Sequence, residues 1–165
     1  MEIVACSWIV IPVGRKYAAK VDATDAELIA GRSWHFVTFG GLLYAQSGKS
    51  AAFPVSEMMH RLLMQPGPGM VVDHKNGDGL DNRRHNLRVC TRTQNQQNRR
   101  KIKPASSKYK GVYWSSGLCR WRVEIKVDGK KISGGSFSNE EDAAKSYDEL
   151  ATKHFGEFAR LNLTG

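Results

Sequence analysis

The sequence predicts an α+β fold in two parts: a mixed strand and helix region, then a three-stranded antiparallel sheet packed on one helix. Three observations carry this. Short apolar runs recur between Gly, Asn and Asp turns. Capping-box patterns stand just before the helical runs. A cation-rich stretch with Pro104 and two serines separates the parts, so residues 1–100 form the first module, 101–108 a basic linker and 109–163 the second.

The elements follow in order. Ile3–Val13 and Tyr17–Val21 read as strands. Thr24-Asp-Ala-Glu27 opens a short helix that stops at Gly31. Trp34–Phe39 and Leu42–Gln46 pair around Gly40-Gly41. Ser56 caps a helix through Gln65, with Met58, Leu62 and Leu63 on one face, and Pro66-Gly-Pro-Gly69 ends it. Met70–His74 is a strand, Lys75–His85 a turn-rich loop and Asn86–Cys90 a second strand. Thr91-Arg-Thr-Gln94 starts a helix running to about Arg100. Arg99–Lys108 reads as exposed linker. Tyr109–Trp114, Cys119–Val127 and Lys130–Phe137 are the last strands, the latter two joined at Asp128-Gly129. Ser138-Asn-Glu-Glu141 caps a helix to Phe155, whose Ala143, Ala144, Tyr147, Leu150, Ala151 and His154 face the sheet.

The chain has 165 residues, 41% hydrophobic and 9% aromatic, a globular composition. Lys and Arg number 25 against 16 Asp and Glu, a net charge of +9. No acid stands between Asp81 and Glu124. Such an excess suits a polyanion, nucleic acid before membrane. No apolar run is long enough for a membrane span. Ile3–Val13 lacks the basic start and cleavage site of a signal peptide. Cys6, Cys90 and Cys119 form neither a zinc pair nor a disulfide framework, so a cytoplasmic location is expected. No pair of Cys or His has zinc-finger spacing, and no serine sits in a nucleophile elbow.

The stretch His60-Arg61-Leu62, then Val71-Val-Asp-His-Lys-Asn-Gly-Asp-Gly-Leu-Asp-Asn-Arg83, Asn86-Leu-Arg88, Thr91 and Asn95 resembles HNH endonucleases of phages and introns, homing enzymes included. The resemblance covers about residues 8–100 and implies a ββα-metal nuclease centre within about 70–100. The residue types suit it. A neutral imidazole takes a proton from water near neutral pH, so His74 is the candidate general base. Asp73 and Asn95 offer hard oxygens suited to Mg²⁺ or Mn²⁺, completed by phosphate and water. Strand alternation points Asp73 and His74 to opposite faces, so a local twist is expected if both serve one phosphate. By the resemblance, Asp73 and Asn95 hold one ion per active site, and Asn86 orients His74 through bonds to the hairpin backbone. Asn95 stands where many members carry His, which disfavours zinc. His60 reads as support for the site, a phosphate contact or a core residue. His35 and His154 read as packing residues and His85 as an exposed loop residue. Arg83 and Arg84 read as phosphate contacts, with Arg99 and Arg100 on the basic stretch beyond.

Tyr109-Lys-Gly-Val-Tyr113, Trp121-Arg-Val-Glu-Ile125, Gly135-Ser-Phe137, Glu141-Asp-Ala-Ala144, Tyr147-Asp148 and Phe158-Ala-Arg-Leu-Asn162 resemble the plant ethylene-response-factor (Apetala) DNA-binding domain. On the middle strand Arg120, Arg122, Glu124 and Lys126 share one face, and Trp121, Val123 and Ile125 the other. The resemblance places Lys110, Tyr113, Glu124, Lys126 and Lys131 at DNA-contacting positions. Lysine or tyrosine often replaces that family's arginines here, and Ser133 a frequent Trp, so its base preference does not carry over.

The expected activity is metal-dependent hydrolysis of double-stranded DNA, by nicking or double-strand cleavage, without a small-molecule cofactor, from a monomer or homodimer. Two alternatives stand: a DNA-binding regulator with an inactive nuclease centre, and an RNA-directed protein, for which no aromatic RNA-binding pattern is present.

Overall fold

The computed structural model describes residues 7–101 and 106–163. The chain divides into two compact units, Met1–Asn95 and Gln96–Gly165.

The first unit opens with a hairpin of β1 (Trp8–Val13) and β2 (Tyr17–Asp22). The expected strand over Ile3–Val13 thus begins at Trp8, and residues 3–6 lie outside the described residues. A 3₁₀ turn over Ala23–Asp25 leads into α1 (Ala26–Ile29). No side chain caps either, so Thr24 and Glu27 make no capping box. The nearby carboxylate of Asp25 is instead held by Arg84. The hairpin of β3 (Trp34–Phe39) and β4 (Leu42–Ser47) turns at Gly40-Gly41.

Helix α2 spans Met59–Met64, three residues after the Ser56 start that the sequence suggested. The delay has a cause on β4. Ser47 N–H donates to Glu57 O, Glu57 N–H donates to Ser47 Oγ, and Met58 bridges Gln46. Residues 57–58 are therefore drawn out as extended chain. The buried face of α2 is Met59, His60 and Leu63, not Met58. Then come β5 (Val71–His74), a 3₁₀ turn at Arg84–Asn86, β6 (Leu87–Cys90) and α3 (Arg92–Gln97). Asn86 thus precedes the strand, and α3 ends before Arg100. At the start of α3 the capping box forms in full. Gln94 N–H donates to Thr91 Oγ1, and Thr91 N–H donates to Gln94 Oε1.

Alternation explains this unit's core. Ala19 and Val21 of β2 and Val13 of β1 point inward with Ile29, Trp34, Ala45, Met59, Leu63, Val72 and Leu87. Trp8 and Val10, one step out of phase, stay exposed.

In the second unit β7 (Val112–Ser115), β8 (Arg120–Val127) and β9 (Lys130–Phe137) form an antiparallel sheet in that order, joined by helix α4 (Glu140–Phe155). Asn139 caps α4, its Oδ1 accepting the N–H of Glu141 and Asp142. Tyr109, Val112, Val123 and Ile125 form a core with Ala143, Ala144, Tyr147, Ala151 and Phe155. His154, expected on that face, is exposed; the spacing Tyr147, Ala151, Phe155 carries the stripe past it. His35 is exposed as well, 3.3 Å from Gln46 Oε1. Within the stretch expected as an exposed linker, Lys101 Nζ donates to the carbonyls of Ser107, Tyr109 and Val112, and residues 102–105 lie outside the described residues. Gly111 has φ +72, and a Cβ there would stand 2.1 Å from the Tyr147 ring. Among the described residues no helix is long and apolar enough to cross a membrane.

Candidate active site

The two strands β5 and β6 pair antiparallel, with Asp73 opposite Arg88 and His74 opposite Leu87. Directly opposed residues share a face. Arg88 Nε and Nη2 therefore reach Asp73 Oδ2, at 2.9 and 2.7 Å. Both Asp73 and His74 are 5% exposed. An arginine set against the carboxylate offsets the cost of burying it.

The ring of His74 lies on the face that Val72 gives to the core. It meets His60 edge to face, with centroids 5.1 Å apart and planes at 83°, and Tyr44 at 5.7 Å. His74 Nε2 lies 3.3 Å from Oδ1 of Asn82, a fully buried residue. The loop after β5 is seated on β4: a Cβ at Gly79 would come within 2.3 Å of Leu43 O. The same loop is zipped to the edge of β2. Lys20 N–H donates to Leu80 O, and Asn82 N–H donates to Lys20 O, each at 2.8 Å.

Asn86 knits this loop from within. Its Nδ2 donates to Asp81 O at 2.7 Å and to Asn76 Oδ1 at 3.1 Å, and its Oδ1 accepts the Asn76 N–H. Its own carbonyl accepts the Lys75 N–H. Asn86 thus bonds the backbone on both sides of the loop that also holds Asn82. Asn95 is the fourth residue of α3 and is half-buried.

Burial holds the His74 imidazole below its ordinary titration range, outweighing Asn82, Asp73, Asp78 and Asp81, which favour its protonation. His60 is pushed down to about 3, chiefly by burial, then by His74 and Arg61. Both rings are neutral near pH 7, the state in which an imidazole accepts a proton. The sign for stability follows. Folded His60 titrates near 3 and the unfolded chain near 6.5, so the unfolded state takes up the proton first. This contribution is complete above 6.5 and is lost as the pH falls toward 3. Thermal melts at about pH 7.5 and about pH 5 should show a clear loss of stability on acidification, up to about 1.4 kcal/mol per pH unit for each such histidine. His60→Phe should flatten that slope; an unchanged slope would refute the assignment.

Arg83 and Arg84, expected as phosphate contacts, are each committed to a carboxylate. Arg83 grips Asp81 at 2.7 Å, and Arg84 grips Asp25. His85 is exposed, as are Arg99 and Arg100. On the second unit Arg120, Lys126 and Lys131 are exposed, with Tyr113, Arg122 and Glu124 half-buried. Tyr113 lies opposite Arg122, and Lys126 opposite Lys131. Glu124 takes the Lys131 ammonium at 3.0 Å. Lys110 is turned inward: its Nζ donates to Gln97 O, and burial, then Arg160, push it down to about 8. As placed, it is a tie within the second unit rather than an exposed DNA contact.

Asn82, Arg88 and Tyr44 belong to this site and were missed in the sequence. Only Arg88 had a readable signal, through the hairpin register that sets it opposite Asp73.

A model of the HNH endonuclease family matches residues 65–97. No curated protein and no solved structure matches the chain.

Proposed function

Taking as premise a chain that carries an HNH endonuclease segment and cleaves DNA, we propose that His74 is its general base and that Asp73 and Asn95 hold the divalent ion. The observation that carries this is the neutral, buried His74 imidazole beside the Asp73 carboxylate at the end of one strand. The donors suit a hard cation. Asp73 and Asn95 offer oxygen, while the nearby Cys90 thiol is buried and pushed up to about 11, a protonated and poor ligand. Among the described residues no group of three or more His, Cys, Asp and Glu could hold a metal. A shell built on these two protein oxygens therefore takes its remaining ligands from phosphate and water, as Mg²⁺ and Mn²⁺ commonly do. When bound, the ion would neutralise charge developing on the phosphate.

The chain's own residues supply the rest. His74 takes the proton of the attacking water. Asn86 holds the loop rigid through Asn76 and Asp81. Arg88 holds Asp73 in place through a 2.7 Å ion pair. The three-stranded sheet of the second unit is read as a double-stranded DNA tether of the ethylene-response-factor kind, presenting Arg120, Arg122, Lys126, Lys131 and Tyr113. Two weak DNA sites on one chain gain affinity through effective concentration. A monomer with one centre would nick one strand, leaving a 5′-phosphate and a 3′-hydroxyl. A phage or mobile-element origin of the homing type fits this reading.

Supercoiled plasmid incubated with the full chain should become open-circular in Mg²⁺ or Mn²⁺ and remain supercoiled in EDTA. DNA binding without cutting in either metal would favour the alternative of a DNA-binding regulator with an inactive centre.

A further inference from the structure

Asn82 has three features that packing alone does not require. It is fully buried, although its side chain is polar. Its Oδ1 faces His74 Nε2 at 3.3 Å. Its Nδ2 is buried without a hydrogen-bond partner. Leaving a donor unpaired costs stability, and an apolar side chain of similar volume would avoid that cost. The residue is also rigidly mounted, since its N–H is spent on Lys20 O at the edge of β2. Around the imidazole, His60 and Tyr44 wall the ring.

A neutral imidazole donates at one ring nitrogen and accepts at the other. Which nitrogen carries the proton is set by what faces it. We propose that Asn82 is a positioning residue for His74: its side-chain oxygen accepts the Nε2–H, which fixes the ring and leaves the lone pair on Nδ1. The inference rests on reading His74 as the general base and names the nitrogen that takes the proton from water. The unpaired Nδ2 is then the cost of holding an acceptor at that point. Rotating the amide would set Nδ2 against Nε2, move the proton to Nδ1 and spend the ring's lone pair on Asn82.

The test reads the tautomer directly. In the full chain labelled with ¹⁵N-histidine, long-range ¹H–¹⁵N spectra above the titration range of free imidazole should show His74 protonated at Nε2 and bare at Nδ1. Asn82→Leu should give a mixture of tautomers and lower kcat for plasmid nicking about 10-fold or more, leaving KM for DNA unchanged. Asn82→Asp, which keeps the acceptor, should restore the single tautomer and most of kcat. A wild-type protein protonated at Nδ1 would overturn the proposal, and that measurement needs no variant to fold. So would an Asn82→Leu protein with the wild-type tautomer and kcat. Failure of the underlying reading looks different: His74→Ala would nick at the wild-type rate while the wild-type spectrum still showed the Nε2 proton.

Discussion

His74→Ala is expected to lower kcat for DNA nicking by about 10²- to 10⁴-fold, the usual contribution of a general base. The substitution removes the nitrogen proposed to accept the water's proton and leaves Asp73 paired with Arg88. Affinity for DNA, read by gel shift without metal, should stay close to wild type. The truncation also empties space beside Tyr44 and His60, so a modest fall in melting temperature accompanies it. Single-turnover cleavage at saturating enzyme separates the chemical effect from any loss of binding. A rate within a few-fold of wild type would remove His74 from the mechanism.

Gly111→Ala should produce the largest loss of stability. Its φ of +72 is strained for any residue with a Cβ. That Cβ would stand 2.1 Å from the Tyr147 ring and 2.9 Å from Glu124 O. Tyr147 cannot yield easily, being 2% exposed at the centre of the second core. Nor can the carbonyl, because Gly111 and Glu124 are joined backbone to backbone between β7 and β8. Strain and overpacking together should cost about 3 kcal/mol or more. Denaturant unfolding followed by tryptophan fluorescence can check this, since Trp114 and Trp121 report on that sheet. A variant as stable as wild type would show that the sheet and helix can separate at little cost.

How much of this was legible in the sequence depended on range. The capping box at Thr91 and Gln94, the turn at Asp128-Gly129 and the strand ending Asp73-His74 rest on residues a few positions apart, so the chain announces them locally. The partners of the site are set from afar. Asn82 hangs on Lys20, and Arg84 on Asp22 and Asp25, and no periodicity reports such a meeting. Arg84 looked available for phosphate because the carboxylates it meets, Asp25 and Asp22, stand 59 and 62 residues earlier in the chain, whereas the partner of Arg83 is Asp81, two residues before it. The placement of Lys110 was hidden for another reason. A long aliphatic stem lets a lysine lie along its own unit and end on a carbonyl, here that of Gln97. His35 and His154 erred the opposite way: amphipathic side chains near a core stripe can fall just outside it.

The zipper between β2 and the loop after β5 bears on how the nuclease is built as a unit of inheritance. The segment that matches the HNH family, residues 65–97, is not a portable cassette. Its loop completes its backbone hydrogen bonds on Lys20 and meets carboxylates of Asp22 and Asp25. Transplanted without the first hairpin, it would carry Asp73, His74 and Asn82 but not the backbone partner at Lys20. Closing such distant contacts carries an entropic cost that grows slowly with the length of chain between them. Both hydrogen bonds at Lys20 are made by its backbone, so they depend on the course of β2 rather than on the identity of that side chain.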